Sequence, residues 1–396
     1  MNTPYTPDAK GPLSGLRVVD MTRLAAGNMM THMLADFGAD VIKIERPGKG
    51  DDLRRFGEAE SWWKVYARSK RSMELDFRSV QGREVLDKLV ASADILCENF
   101  VPGTLEKWGM SPDELWKANE DLIIVRVSGW GQTGPYKNKP GFGSLIEGMS
   151  GFASMTGWED KPPLLPPLAL ADMVAGLAGF GGVLSAVIAR DKGQVKGQVV
   201  DLSLFEPLFG ILVPCAASYE ATGKVPQRTG NSSDVAAPRG LYQTKDGKFI
   251  AMSASMQSMW EKLAAVIGRP ELNNDPRYST SLARIKHAHE LDEIIAEDMK
   301  TRTLDENLAY FDSQGVTVGP ICDISDLIDH PYVRGREVLQ DFEYEGMDRL
   351  PMHQSFPRLS ETPGTVRTPA PKLGEHTAEI LAELGFSDVD ITQESI

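Results

Sequence analysis

Through the first two hundred residues, short apolar runs alternate with amphipathic stretches. LRVVDM (Leu16–Met21), VIKIE (Val41–Glu45), ILCENF (Ile95–Phe100) and LIIVRVSG (Leu122–Gly129) are compact and rich in Val and Ile, the signature of buried strands. Between them lie MMTHMLADFG, ended by Gly38, the stretch Gly82–Ala91, and SPDELWKAN with Ser111 placed to cap a helix. Strand and helix in alternation predict a parallel sheet with crossover helices, a doubly wound α/β layer. GQVVDLSL adds a strand, and one apolar helix is expected to follow it through Tyr219. Ligands of such sheets bind beyond the carboxyl ends of the strands.

The pattern changes at TGKVPQRTGNSSDVAAPRG, a turn-rich linker. GLYQTKDGKFIAMSA then reads as a hairpin turning at Asp246–Gly247, and ARIKHAHELDEIIAEDMK as a charged amphipathic helix. A chain of 396 residues is long for one compact domain. The expected organisation is a large α/β domain over 1–223, a smaller α+β domain over 224–319, and a return segment, 320–396, completing the large domain.

One charge interrupts LLPPLALADMVAGLAGFGG (Leu164–Gly182), that of Asp172. An ionised carboxylate is expensive to bury without partners, so it serves either as a helix cap or as a reagent. Ala175, Gly176, Ala178, Gly179, Gly181 and Gly182 thin the helix beside it, which allows a bulky ligand or another backbone to approach. The apolar run Met173–Ala189 falls just short of a membrane span and reads as a buried helix.

Charge narrows the partners. Against 42 basic residues stand 56 acidic ones, a net of −14, which argues against nucleic acid or an anionic membrane as the main partner. A local basic pocket is still permitted. Arg46, Arg68, Lys70, Arg71, Arg78 and Lys107 cluster near strand ends, and their spacing fits a solvated surface or a site for a multiply phosphorylated ligand equally well. Cys97, Cys215 and Cys322 show no C-x-x-C spacing, which speaks against a disulfide framework or a cysteine zinc site and fits a reducing cytoplasm. His287 and His289, two apart on a helix, face different ways and cannot share a metal. GWGQTG (Gly129–Gly134) matches G-x-G-x-x-G, but Pro135 follows where the fingerprint needs a helix, so no nicotinamide or flavin site is expected. There is no G-x-S-x-G elbow, and the N-terminal stretch carries no secretory pattern.

With these residues in view, the chain resembles the class III coenzyme A transferases, the CaiB/BaiF-like family of formyl-CoA and carnitine-CoA transferases. The resemblance rests on LSGLRVVDMTRLAAGN, GADVIKIERPGKGD, KRSMELDFRSVQGRE, ADILCENFVPGTLEKWGM, VSGWGQTGPYKNKPGF, LADMVAGLAG, GQVVDLSLFE and the KDGKFIAMSA hairpin, in family order. It implies that coenzyme A is a substrate, with no permanently bound cofactor and no metal. Asp172 matches the catalytic aspartate. Arg23, Leu24, Arg46, Leu75, Arg78, Asn99, Phe100, Thr104, Lys107 and Lys139 match the coenzyme A contacts. It further implies a homodimer of interlocked rings acting on an acyl-CoA and a small carboxylic acid. The chemistry suits this, because a carboxylate is a poor acyl acceptor and a covalent aspartyl anhydride and thioester divide the step.

Departures bear on substrate choice. Ala25 stands where formyl-CoA transferase has glutamine, Gly143 where an acidic residue is common, and Val101 where arginine is usual. SASMQS (Ser253–Ser258) occupies the region of the glycine-rich closing loop. Oxalate and formate are therefore poor candidates, and a dicarboxylate with succinyl-CoA as donor is expected from family frequency. Racemases of the same fold pair the aspartate with a histidine, but this chain has Phe142 there, which cannot carry a proton. A lyase or isomerase acting on a CoA thioester, and a non-catalytic CoA-thioester binding protein, are the competing readings.

Overall fold

A computed structural model describes residues 2–386. The chain divides into two compact units. The first takes the residues up to Ala153, Leu165–Gly223 and the segment from Tyr332 onward; the second takes Ser154–Leu164 and Lys224–Pro331. The second unit thus runs past the boundary at 319 read from the sequence and also includes a short piece from within the first stretch.

The first unit is built on six parallel strands in the order β3-β2-β1-β4-β5-β6: β1 (Arg17–Asp20), β2 (Asp40–Glu45), β3 (Lys70–Glu74), β4 (Ile95–Glu98), β5 (Ile123–Ser128) and β6 (Val199–Ser203). The order reverses between β1 and β4, which is where a doubly wound sheet opens a crevice. Successive residues of one strand point to opposite faces, and both faces are covered. Val18, Val41, Ile95 and Ile123 pack on one side, and Val19, Ile42, Leu96 and Ile124 on the other.

Helix α1 (Ala25–Asp36) follows β1 and is buried along its whole length, which explains its apolar, uncharged first turns. The crossover helix α2 (Val80–Ala91) starts on a Ser79 cap, and α3 (Pro112–Ala118) on the expected Ser111 cap with Pro112 behind it. Past β5 come α4 (Gly143–Met149) and the long α5 (Leu170–Asp191).

Four sequence readings need correction. β3 was not expected, because KRSME is mostly charged and holds no apolar run; Lys70 and Arg71 are consumed by partners inside the fold. The apolar helix after β6 is two helices, Phe205–Gly210 and Val213–Thr222. ARIKHAHELDEIIAEDMK is likewise broken at His287 into Ser281–Lys286 and Ala288–Met299. Helix α5 is buried on one side only: Leu177 is 41% exposed and Ile188 53%.

The segment from Tyr332 contributes an antiparallel hairpin, Leu339–Tyr344 with Met347–His353, and a final helix, Thr377–Glu383. Ile380 of that helix joins the core beneath β1–β5. The second unit carries three antiparallel strands, Arg239–Gln243, Phe249–Ser253 and Val318–Pro320, and the first two turn through Thr244–Lys248 as the Asp-Gly signal required. Its separate core includes Trp260, Leu263, Ile295 and Phe311.

Candidate active site

At the switch point the chain leaves β1 through Met21–Leu24 and leaves β4 through Asn99 and Phe100. The Asn99 side chain ties these exits together: its Oδ1 accepts from the Arg23 N–H at 2.9 Å and its Nδ2 donates to the Arg23 carbonyl at 2.7 Å. Leu24, the next residue, has φ 60° and ψ −142°, a conformation that costs a non-glycine residue about 1–3 kcal/mol. Only then does α1 begin.

Three cavities run from this point through the first unit. The first, about 190 Å³, is lined by Arg23, Arg46, Leu75, Arg78 and an aromatic cluster of Phe77, Phe100 and Trp108 with ring centroids 5.0–6.4 Å apart. The second, about 540 Å³, shares Arg23 and Phe100 with it and adds Leu24, Asn99, Thr104, Lys137, Lys139 and Asp172. The third, about 490 Å³, shares Leu24, Phe142 and Asp172 with the second. Apolar residues dominate it, among them Ala25, Phe56, Trp62 and Leu165–Ala169, with Ser144 and Glu147 as polar company.

Of the eleven residues singled out from sequence, ten line these three cavities. Lys107 does not; it is exposed at the end of a single-turn helix, Thr104–Lys107. Arg23 and Arg78 are exposed and paired with Asp52 and Asp76 respectively, pairs of the kind that exchange readily for a ligand phosphate. Lys139 lies 3.4 Å over the Tyr136 ring in the loop after β5, whose ends are pinched together at Gly129 and Gly141. A Cβ on Gly129 would lie 2.6 Å from Gly141 Cα, so the glycines of GWGQTG permit a backbone crossing.

Arg68, Lys70 and Arg71 of the sequence cluster do not line these three cavities. Arg68, fully buried, pairs with Asp36 at 2.6 Å. Lys70, also buried, donates to Asp20, Asn28 and Thr31 at 3.2, 2.8 and 2.7 Å. Arg71 is held by Asp40, Glu379 and Glu383. Burial alone would raise the Asp20 pKa, but Lys43 and Lys70 hold it well below the usual carboxylate range.

Asp172 is the third residue of α5, whose N-cap is Ala169, so it is not the cap the sequence allowed. The backbone N–H groups of Ala26 in α1 and of Asp172 itself face its carboxylate and favour the ionised form. Burial first, and the Glu147 carboxylate second, push its pKa from 3.8 to about 6. Glu147, 3% exposed on α4, accepts from the Ala171 N–H at 3.1 Å. Gly143 matters here for lack of space: a Cβ there would lie 2.5 Å from Asp172 Oδ2. The small residues of α5 also have an assignment. A Cβ on Gly176 would lie 2.6 Å from Met29 Cγ and one on Gly179 2.5 Å from Leu202 Cδ2, so the thinned face admits α1 and β6.

Phe77, Trp108, Asp51 and Glu147 were not singled out from sequence. Glu147 carried a usable signal, since it is the lone charge of GFGSLIEGMSG as Asp172 is of its own run. Among the described residues no group of His, Cys, Asp and Glu is arranged to hold a metal ion.

Comparison with known proteins identifies the family. The model of CoA-transferase family III matches residues 13–377. The succinyl-CoA–D-citramalate CoA-transferase of Chloroflexus aurantiacus is 38% identical over 96% of each chain. The succinate–glutarate CoA-transferase of Agrobacterium fabrum is 33% identical over 96% of this chain and 97% of its own. A crystal structure of a CaiB/BaiF family protein from Brucella suis superposes with a TM-score of 0.84 at 35% identity, covering 95% of this chain and all of that one. On fold, site and similarity together, the chain is a member of CoA-transferase family III.

Proposed function

We propose that the chain moves coenzyme A from an acyl-CoA thioester to a small dicarboxylic acid through covalent intermediates on Asp172. The observation that carries this reading is the place of Asp172 on the wall shared by two cavities. One continues to the arginines and aromatic cluster that suit a phosphorylated nucleotide. The other is lined mainly by apolar residues and is of acyl size.

In this scheme an Asp172 oxygen attacks the donor thioester carbonyl, the C–S bond breaks, and the CoA thiolate leaves a mixed anhydride. The thiolate then attacks the aspartyl carbonyl and releases the donor acid, which gives an aspartyl-CoA thioester. The acceptor carboxylate attacks that thioester, and the returning thiolate takes the new acyl group and frees Asp172. No net proton is moved, so an aspartate without a histidine partner suffices. The apolar third cavity protects intermediates that water would hydrolyse.

The dicarboxylate class is drawn from the relatives, whose names pair succinyl-CoA with D-citramalate and succinate with glutarate. No Lys or Arg lines the third cavity, whose charged residues are Glu147 and Asp172, so within it a second carboxylate would find the Ser144 hydroxyl and no paired charge. A homodimer belongs to the same proposal. The exposed face of α5 and the helix Val213–Thr222, which buries no residue, leave apolar surface for a second copy, with Val213 46% and Tyr219 51% exposed.

The test is a mass-spectrometric exchange assay with succinyl-CoA or acetyl-CoA, a panel of mono- and dicarboxylic acids, and an Asp172→Ala control. A new thioester that requires both the acid and Asp172 supports the reading and names the acceptor. Exchange that persists without Asp172 overturns it.

A further inference from the structure

The strained start of α1 has a buried keeper. Asp51, 2% exposed, is the carboxylate that faces it. Its Oδ1 accepts from the Leu24 N–H at 3.0 Å and from the Leu53 N–H at 2.9 Å. Its Oδ2 accepts from Asn28 Nδ2 at 2.8 Å and from Lys43 Nζ at 2.9 Å. Asn28 Nδ2 also donates to the Leu24 carbonyl at 2.7 Å, so the amide and the carbonyl of Leu24 are both held. Asn28 Oδ1 is held in turn by Lys70 at 2.8 Å. The clamp is therefore fixed to β2 and β3 through two buried ammonium groups.

This clamp stands two residues before the Ala26 N–H that faces the Asp172 carboxylate, and Leu24, Ala26 and Asp172 line the same cavity. Leucine avoids φ 60°, and without a partner for its amide the turn would relax toward an ordinary conformation. That relaxation would swing the first turn of α1. Gly27 leaves the turn no slack to absorb it, because a Cβ there would lie 2.3 Å from the Thr22 side chain.

We propose that Asp51 is a positioning residue for the nucleophile: by holding Leu24 in its left-handed conformation it aims the Ala26 N–H at the Asp172 carboxyl group. The same N–H faces that group when it becomes an acyl carbonyl, so Asp51 acts on every step at Asp172. The inference rests on the nucleophile reading above. Asp51 also lines the first cavity, but both of its carboxylate oxygens are taken by protein donors.

The experiment compares Asp51→Ala, Asp51→Asn, Leu24→Gly and the double variant Leu24→Gly/Asp51→Ala in the exchange assay, beside Asp172→Ala. Misplacing a nucleophile by part of an ångström lowers turnover by about 10- to 100-fold, so Asp51→Ala is expected to lower kcat by that factor and to leave KM for the acyl-CoA within about threefold. Asp51→Asn keeps an oxygen for the Leu24 and Leu53 amides and is expected to recover at least about tenfold of the loss. Glycine adopts φ 60° without strain, so the loss caused by Asp51→Ala should shrink at least about fivefold when Leu24 is glycine.

A kcat for Asp51→Ala within threefold of the wild type overturns the inference, as does an equal loss in the leucine and glycine backgrounds. Should Asp51→Ala not fold, Asp51→Asn and Asp51→Ser in the two backgrounds give the same comparison. Turnover retained in Asp172→Ala would overturn the nucleophile reading and this inference with it. Turnover lost there, with Asp51→Ala active, removes the inference alone.

Discussion

Replacing Glu147 by glutamine isolates one cause of the raised Asp172 pKa. A Cβ on Gly143 would lie 2.5 Å from Asp172 Oδ2 and 3.8 Å from Glu147 Oε1, so those oxygens are at most about 6.3 Å apart, the sum of the two reaches. At that distance and an effective dielectric constant of about 20, two unit charges repel by about 2.6 kcal/mol, equivalent to about two pH units. Burial is the larger of the two causes that lift Asp172 from 3.8 to about 6, so the share of Glu147 is nearer one unit. Glutamine keeps the oxygen that accepts the Ala171 N–H and removes the charge.

A nucleophilic carboxylate works only when ionised, so activity rises with pH through its pKa. Glu147→Gln lowers that pKa, and the acid limb of the kcat/KM profile should move down by about one pH unit. At pH 5.5 the variant would gain about threefold relative to its own plateau, since the ionised fraction of Asp172 rises from about a quarter to about three quarters. Taking the ratio of the two profiles cancels titration of the substrates. A limb that stays in place, or moves up, refutes the electrostatic account of Asp172.

Three further results are expected. Because the folded protein binds the Asp172 proton more tightly than the unfolded chain, Asp172 destabilises the fold above pH 6, and the penalty fades as pH falls from 6 to 3.8. Asp172→Asn should therefore stabilise the fold at pH 8 by on the order of 3 kcal/mol at most, seen as a higher melting temperature, and match the wild type below pH 4. Gly176→Ala places a Cβ 2.9 Å from the Ala26 carbonyl oxygen and should cost about 1–3 kcal/mol in urea unfolding. Gly181→Ala on the exposed face of the same helix meets nothing within 4 Å and should gain about 0.5–1 kcal/mol. Arg46→Ala and Arg78→Ala should raise KM for the acyl-CoA about tenfold and leave kcat within about twofold, and a loss confined to kcat would remove the first cavity from coenzyme A binding.

Much of the sheet was legible because its strands are continuous apolar runs, as parallel strands buried on both faces must be. β3 escaped for the opposite reason. Its basic residues are satisfied by carboxylates on other elements, and a buried Lys70 spells the same in sequence as a solvated one. The same ambiguity left Arg68, Lys70 and Arg71 open as ligand contacts; of that cluster Arg46 and Arg78, beyond the strand ends, line a cavity. Asp172 was legible because a lone carboxylate in a small-residue run violates the local pattern, and Glu147 broke the pattern in the same way.

Asp51 and Leu24 gave no such signal. Asp51 sits in GKGDDLRRF, which reads as a polar turn, and nothing in TRLAAGN marks a leucine at φ 60°. Strain belongs to the backbone, and its restraint comes from a residue twenty-seven positions away. Departures from local rules collect where the surrounding structure over-determines them. Here the departures converge: a strained leucine, a buried aspartate holding its amide, a helix start with no side-chain cap, and a carboxylate whose pKa is pushed up to about 6. Each alone would be a defect of the fold. Together they lie along one path from β2 to the carboxyl group of Asp172, which is the arrangement expected if the stability given up there serves to hold a nucleophile in place.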